Sequence, residues 1–230
     1  MILVVEGPGA VGRTTYCRAF PRTRVVEELG ADIRPAAGLS LEETCRFWVE
    51  RNEDRWSRAV HAEGTTGMAV CDTDPLKLHH SWSLARTGLL PPNVFRTQLR
   101  HTRAAMADGR LGMADLVACR IPTPEALRRQ RDGDRTRGRR DVEVDIRLAG
   151  ALREWYEALD VLAPGRVRWD WPASGDAVLH TAPCPGPLPK SPERARDGVP
   201  VAGEGPRHDI PLLDTWMRAL PELADRGPRG

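Results

Sequence analysis

Several features that would assign a chain to a broad class of protein are missing here. Net charge is only +2, from 34 basic and 32 acidic residues, so charge does not indicate binding to nucleic acid or to a membrane. No apolar run approaches the length of a membrane-spanning helix. The cysteines show neither C-x-x-C spacing nor a histidine at metal-site distance, and they are Cys17, Cys45, Cys71, Cys119 and Cys184. We therefore expect reduced thiols in a cytoplasmic protein.

The most informative pattern that is present lies at the start of the chain. A short apolar run, Met1 to Glu6, leads into the sequence GPGAVGRTT, which fits the phosphate-loop pattern G-x-x-x-x-G-[KR]-[ST] between a strand and a helix. Glycines let successive N–H groups point inward at phosphate oxygens, and the following helix adds the positive end of its dipole. The residues expected to bind a nucleotide are Gly7, Gly9, Ala10, Val11, Gly12, Arg13, Thr14 and Thr15.

Two positions of this loop carry specific predictions. Thr14 stands where a hydroxyl would bind Mg²⁺. Arg13 stands where lysine is usual, and it keeps the charge although it is larger and forked, so we expect it to contact the donor phosphates. The alternative is a chance glycine turn, which the order of strand, loop and helix disfavours.

Apolar segments alternate with helical patterns along the first 170 residues. This alternation predicts an α/β fold with a doubly wound, parallel, five-stranded sheet. The predicted strands cover residues 2–5, 23–28, 67–71, 115–121 and 166–170. Predicted helices begin near residues 13, 41, 75, 92 and 124, and a further periodic helix carries apolar residues from Ile146 to Leu159. Ser40 and Glu43 form a capping-box pattern, and Asp74 with Pro75 reads as the start of another helix.

Acidic residues follow two of these strands, and ligands of such sheets bind beyond the carboxyl ends of the strands. Glu27 and Glu28 follow the second strand, and Asp72 ends the third. Asp72 either positions Mg²⁺ or accepts the proton of an attacking hydroxyl. Lys77, in the next turn, could replace the missing loop lysine, but a solvated lysine is the preferred interpretation.

A second informative segment is rich in arginine and lies between two periodic helices, at about residues 128–141. It contains RGRRDVE, residues 137–143, after an Asp-Gly-Asp break. This segment has three interpretations: a mobile lid over phosphates, a solvated helix end or a nonspecific RNA-binding arm. Its place late in a phosphate-loop fold favours the lid.

Together, the phosphate loop and the R-x-R segment followed by acids and a leucine-spaced helix resemble the deoxynucleoside and nucleotide kinases. The resemblance covers about residues 1–175. It implies ATP, or GTP, as donor with Mg²⁺, lid arginines Arg137, Arg139 and Arg140 over the phosphates, and Glu27 or Glu28 as the base. Two departures concern the acceptor, since no arginine follows Asp72 and no proline follows the strand 2 acid.

The resemblance also places the capping-box helix along the acceptor pocket. It implies that an aromatic such as Trp48 could stack on a flat acceptor, and Arg51 and Asp74 are further candidate acceptor contacts. Core packing is the simpler interpretation of Trp48 and Trp56 taken singly. It further places residues 173–176, after the fifth strand, against the adenine.

The sequence thus predicts a kinase domain at residues 1–182 and a Pro/Gly-rich extension at 183–230 whose terminal helix docks on the core. The expected activity is phosphoryl transfer from ATP to a hydroxyl, or phosphate, of a nucleoside, nucleotide or related metabolite. The alternative is a regulatory nucleotide-binding module with weak or no kinase activity, which Arg13 supports. Membrane and nucleic acid are not favoured as partners, and a homodimer is left open.

Overall fold

The computed structural model describes residues 1–9, 11–30, 32–133, 142–172 and 207–223. The strands are β1 (Ile2–Glu6), β2 (Val25–Val26), β3 (Ala69–Asp72), β4 (Leu116–Cys119) and β5 (Val167–Arg168). The helices are α1 (Arg13–Cys17), α2 (Leu41–Thr66), α3 (Leu78–Arg86), α4 (Pro92–Ala107), α5 (Pro124–Gly133), α6 (Val142–Leu162) and α7 (Ile210–Ala219), and a 3-10 turn covers Arg22–Arg24.

The five strands form one parallel sheet with the order β2-β3-β1-β4-β5, which confirms the predicted α/β class. β1 is central and all five of its residues are buried, as expected for a parallel strand covered on both faces. Its register pairs Val5 with Asp72 on β3 and Glu6 with Cys119 on β4. The phosphate-loop motif and Asp72 therefore lie at the same edge of the sheet.

The strand order also shows that the connections reverse direction between β1 and β4. The chain leaves β1 toward the β2 side of the sheet, whereas it leaves the neighbouring β4 toward β5. Ligands of open parallel sheets bind outside the carboxyl ends of strands at such a reversal. The segment that begins at Gly7 leaves β1 at this point.

Side chains of β1 alternate between two apolar clusters. Ile2 and Val4 belong to the larger cluster, which includes buried residues of α2, α3, α4, α6 and α7. Leu3 and Val5 belong to the smaller one, with Cys17 of α1 and Phe20 just beyond it. Helices thus cover both faces of the sheet.

Several helix boundaries test the sequence patterns directly. The capping box is confirmed, because Ser40 accepts from the Glu43 N–H and Glu43 accepts from the Ser40 N–H. The prediction that Asp74 caps a helix beginning at Pro75 is wrong, since α3 begins at Leu78 with Lys77 at its N-cap. Asp74 instead accepts from the Leu76 N–H at 3.0 Å, a local turn that precedes the helix.

The apolar pattern of residues 210–225 predicts one helix over that whole range, but α7 ends at Ala219. Leu213 and Trp216 of α7 are buried in the larger cluster, and the Trp216 indole donates to the Trp155 carbonyl at 2.9 Å. Residues 183–206 and 224–230 of the predicted extension lie outside the described residues.

The structure also bears on membrane-spanning helices and on the state of the cysteines. None of the helices in the described part of the chain is both long and apolar enough to cross a membrane. The four cysteines within those ranges, all but Cys184, are buried free thiols.

Candidate functional site

The segment predicted to be a phosphate loop is packed closely against the residue that follows β4. A methyl group on Gly7 would lie 2.5 Å from the carbonyl oxygen of Arg120, so no larger residue fits there. Gly12, the N-cap of α1, has φ 93°, a backbone conformation that favours glycine. Val11 is buried and Thr15 is exposed, whereas Ala10 lies outside the described residues. Both glycines of the pattern are therefore required by local geometry.

Thr14 and Asp72, both predicted to position a metal, lie side by side. The Thr14 hydroxyl donates to Asp72 Oδ2 at 2.7 Å across 58 positions of sequence. Asp72 is 2% exposed, and its Oδ1 accepts no hydrogen bond from the described residues, with Arg13 Nε 3.7 Å away. This buried oxygen without a hydrogen-bond donor fits a cation or its bound water.

Glu6, the last residue of β1, is a site residue that the sequence analysis missed. Its side chain is fully buried and accepts from the Gly7 N–H at 2.9 Å, Arg13 Nη1 at 2.6 Å and the Thr73 hydroxyl at 2.7 Å. Although burial favours the neutral acid, His79, Arg13 and Lys77 hold the pKa of Glu6 well below its usual range. A carboxylate in an otherwise apolar strand was the available signal, since buried charges require partners.

Arg13, Glu28, Lys77, Thr73 and Glu6 form a closed ring of hydrogen bonds. Arg13 Nη2 donates to Glu28 Oε2 at 3.1 Å, and Lys77 Nζ donates to Glu28 Oε1 at 2.5 Å. Lys77 Nζ also donates to the Thr73 hydroxyl at 3.2 Å, which in turn donates to Glu6. Two cations and two carboxylates balance within this ring. Asp72, which touches it at Arg13, adds a further negative group.

The two candidate bases, Glu27 and Glu28, differ in their surroundings. Glu27 is exposed, whereas Glu28 is half-buried between the two cations. Although burial opposes the shift, Lys77 and Arg13 lower the pKa of Glu28 to about 2. Lys77, expected to be solvated, has a side chain only 21% exposed and lies in the site. The interpretation of Lys77 as a solvated residue is therefore wrong.

Arg55 on α2 is a second site residue whose role the sequence analysis missed. It is fully buried, and its guanidinium donates to the carbonyls of Asp72 at 2.9 Å, Thr73 at 2.8 Å and Glu27 at 3.3 Å. Burial lowers its pKa. Arg55 thus joins the ends of β2 and β3 through main-chain contacts, which no sequence spacing reveals.

The segment between β3 and α3 is strained as well as tightly held. Thr73 with φ 71° and Lys77 with φ 54° are the non-glycine residues with positive φ in the described ranges. Such conformations persist where surrounding contacts over-determine them, and they concentrate at functional sites. Here the surrounding contacts are those of Glu6 and Arg55.

Asp74 and His79 are buried beside this segment. Both Asp74 oxygens are engaged, one by the Leu76 N–H and the other by the Tyr156 hydroxyl at 3.3 Å. Burial raises the pKa of Asp74 to about 6. Burial lowers the pKa of His79 to about 3, so this imidazole is neutral at pH 7, with its Nε2 3.3 Å from Glu6.

Two other residues predicted to contact the acceptor lie earlier on α2. The Trp48 ring packs edge-to-face on Phe47 with centroids 5.1 Å apart. Arg51 stacks on Phe47 at 5.3 Å and pairs with Asp54 at 3.3 Å. Within the described ranges, no hydrogen bond or ion pair joins Trp48 or Arg51 to the ring, so their role stays a prediction.

Of the predicted lid, residues 128–141, the structure describes residues 128–133. Arg137, Arg139 and Arg140 lie outside the described residues. At the near end, Arg128 of α5 donates to Glu143 of α6 at 3.0 and 2.8 Å. At the far end, Asp145 of α6 lies against the phosphate loop, since a methyl group on Gly9 would be 2.9 Å from its Oδ1.

The start of the loop after β5 also reaches the site, although residues 173–176 lie outside the described ranges. The Trp171 indole donates to the Glu6 carbonyl at 3.1 Å, and Arg120 lies 5.5 Å above the Trp171 ring. The Tyr16 ring of α1 also packs against the Trp171 ring, with centroids 5.0 Å apart.

No cluster of three or more His, Cys, Asp or Glu side chains in the described ranges is arranged to hold a metal by itself. That is compatible with Mg²⁺, which proteins often bind through one or two carboxylates together with substrate phosphates. A scan against protein-family profiles finds no match, and a search of curated proteins finds no similar sequence.

Proposed function

We propose that this protein is an ATP-dependent small-molecule kinase of the phosphate-loop class, which transfers a phosphoryl group to a hydroxyl of a nucleoside, nucleotide or similar metabolite. The contact between Thr14 and Asp72 carries the proposal. A loop hydroxyl and a strand-end carboxylate at 2.7 Å, beside a glycine loop, match what a phosphate-bound Mg²⁺ needs.

Thr14 and Asp72 would hold the metal in this proposal. When bound, Mg²⁺ would neutralise charge on the phosphate oxygens. The N–H groups of the loop would orient the phosphates, because α1 has only five residues and its dipole is correspondingly small. Glu28 would accept the proton of the acceptor hydroxyl, since it is the partly exposed carboxylate that the site brings beside Lys77.

The best test measures nucleotide binding and phosphoryl transfer separately. Calorimetry with ATP and GTP, with and without Mg²⁺, should give Mg²⁺-dependent binding. Incubation with γ-labelled nucleotide and a panel of nucleosides, nucleotides and other hydroxyl metabolites should label an acceptor.

Thr14→Val removes the hydroxyl with little change of shape and should weaken the Mg²⁺ dependence. Asp72→Asn should cut turnover by roughly a hundredfold or more, the scale of losing a carboxylate that positions the reacting groups. Thr215→Val, on the exposed side of α7, is the matched control and should change neither quantity.

The second candidate is a regulatory nucleotide-binding module, and one observation favours it. Arg13 is held by Glu6, Glu28 and Asp72, so the cation of the loop is engaged within the protein. Tight nucleotide binding with no labelled acceptor and no phosphate release would select this alternative. Absence of binding to either nucleotide would contradict both.

A further inference from the structure

The two cations of the ring are held to different degrees. Arg13 contacts three carboxylates, at 2.6, 3.1 and 3.7 Å, and its side chain is 15% exposed. Moving it onto a phosphate would leave Glu6, which is fully buried, without its closest cation. Unpaired buried charge is strongly unfavourable, so Arg13 is better suited to holding the loop in place.

Lys77 is held by fewer groups. It contacts one carboxylate, Glu28, and one hydroxyl, Thr73, which together use two of its three N–H donors. Its left-handed backbone, with φ 54°, fixes where the side chain starts. A compact ammonium on a flexible stem can also change partners more easily than a forked guanidinium with three acids around it.

Lys77 is also close to the phosphate loop. Lys77 and Arg13 bind opposite oxygens of the same Glu28 carboxylate, and the Thr73 hydroxyl connects Lys77 to Glu6, which accepts from the Gly7 N–H. One carboxylate therefore separates Lys77 from the loop arginine.

We propose, resting on the proposed kinase function, that Lys77 rather than Arg13 is the cation that contacts the phosphoryl group in transit. In this mechanism the Lys77 ammonium exchanges Glu28 Oε1 for an oxygen of the γ-phosphoryl group. The bond from γ-phosphorus to the bridging oxygen breaks and ADP leaves with its electrons. The acceptor oxygen bonds to γ-phosphorus, and its proton passes to Glu28, which Lys77 has just released.

Release of Glu28 in this way raises its pKa when the donor arrives, because the largest favourable charge beside it moves away. The exchange thus links donor binding to activation of the base. In the absence of a donor, Glu28 stays paired and is a poor proton acceptor.

The composition of the chain allows a direct labelling test. Lys77 and Lys190 are the only lysines of the sequence. Acyl-phosphate derivatives of ATP and GTP acylate amines beside the terminal phosphate, and peptide mapping locates the modified residue. We expect Lys77 to be acylated and protected by an excess of unmodified nucleotide with Mg²⁺. The Met1 amino group, bonded to Glu63 at the other end of β1, supplies the unprotected background.

Variants test the same inference by kinetics. Lys77→Met should lower turnover by about a hundredfold or more while nucleotide affinity changes only a few-fold, because the contact strengthens in the transition state. Slow phosphate release to water can replace acceptor transfer as the readout. Arg13→Lys should lower turnover much less. Arg103→Met, which removes an exposed cation paired with Asp214, should have no effect.

The outcomes separate this inference from the proposed function. If the parent protein binds neither nucleotide, the proposed function fails and the inference fails with it. If nucleotide binds but protected acylation falls on Lys190, or on no lysine, Lys77 is not the phosphate cation. The same follows if Arg13→Lys abolishes turnover while Lys77→Met does not. If Lys77→Met is unfolded, the labelling of the parent protein decides.

Discussion

Asp74 is a buried carboxyl group whose protonation is coupled to folding. Burial raises its pKa from the ordinary value near 3.8 to about 6. Between about pH 4 and pH 6 the folded chain keeps a proton that the unfolded chain has released. The contribution of Asp74 to the free energy of unfolding therefore falls as pH rises through this window.

Asp74→Asn should remove this dependence. The amide keeps an oxygen for the Leu76 N–H and stays neutral, so we expect the variant to exceed the parent in stability at pH 7 by about 1–3 kcal/mol. Urea unfolding from pH 4 to pH 8 measures the difference, which should vanish near pH 4.

Asp54→Asn is the control, since Asp54 is exposed, and it should shift stability by only about 0.5 kcal/mol at every pH. An equal difference between Asp74→Asn and the parent at pH 4 and pH 7 would contradict the assigned pKa.

At the scale of elements, the segment Thr73–Lys77 shows how one side chain can fix a strained backbone. Arg55 donates to the carbonyl of Asp72, which precedes this segment, and to the carbonyl of Thr73, which begins it. Without those donors the carbonyls would be buried with fewer partners, and the positive φ of Thr73 would lose its support.

Arg55→Met should therefore destabilise the fold by about 3 kcal/mol or more, and amide exchange should quicken first at residues 73–77. Arg55→Lys keeps the charge but cannot span several carbonyls, so its loss should be intermediate. Arg58→Met, an exposed position nearly one turn later on α2, should stay within about 0.5 kcal/mol of the parent. Uniform exchange rates across the molecule in Arg55→Met would refute a local role.

At the scale of the whole molecule, a cluster at the edge opposite the site ties the C-terminal part to the sheet. Arg207 donates to Glu63 and Asp115, with shortest distances of 2.6 Å to each. Asp115 also accepts from the Ile2 N–H at 2.7 Å, and the Met1 amino group donates to Glu63. Residues far apart in sequence thus share one partly buried network.

Arg207→Met should lower the free energy of unfolding by about 2–3 kcal/mol, the scale of hydrogen bonds to charged groups. The Arg207 hydrogen bond lowers the pKa of Glu63, so this stability is present at neutral pH and is lost as pH falls through the folded pKa. Denaturation at pH 7 and in acid measures both effects.

Arg103→Met is the matched control, because the pair of Arg103 with Asp214 likewise ties the C-terminal part to the rest of the protein, here α7 to α4, but is more exposed. It should cost less than about 1 kcal/mol. Equal losses of unfolding free energy in Arg103→Met and Arg207→Met would show that the Arg207 cluster stabilises the protein no more than an exposed ion pair.

Sequence patterns predicted secondary structure correctly where residues close together in the sequence determine it. The buried strand at residues 2–6, the capping box at Ser40 and the alternation of strands and helices each depend on residues a few positions apart. Such patterns follow from backbone geometry and side-chain period, so the sequence alone determined the α/β class and the parallel sheet.

Partners of the charged side chains could not be obtained in the same way. The sequence pattern predicts Asp74 as a helix cap, but in the structure Asp74 is buried and accepts a hydrogen bond from the Tyr156 hydroxyl. Lys77 looked solvated, and Glu6 and Arg55 were not singled out, because their partners come from other elements. Only the tertiary structure decides which charges meet, since Coulomb energy depends on distance and burial, and neither is encoded in the spacing of residues along one element.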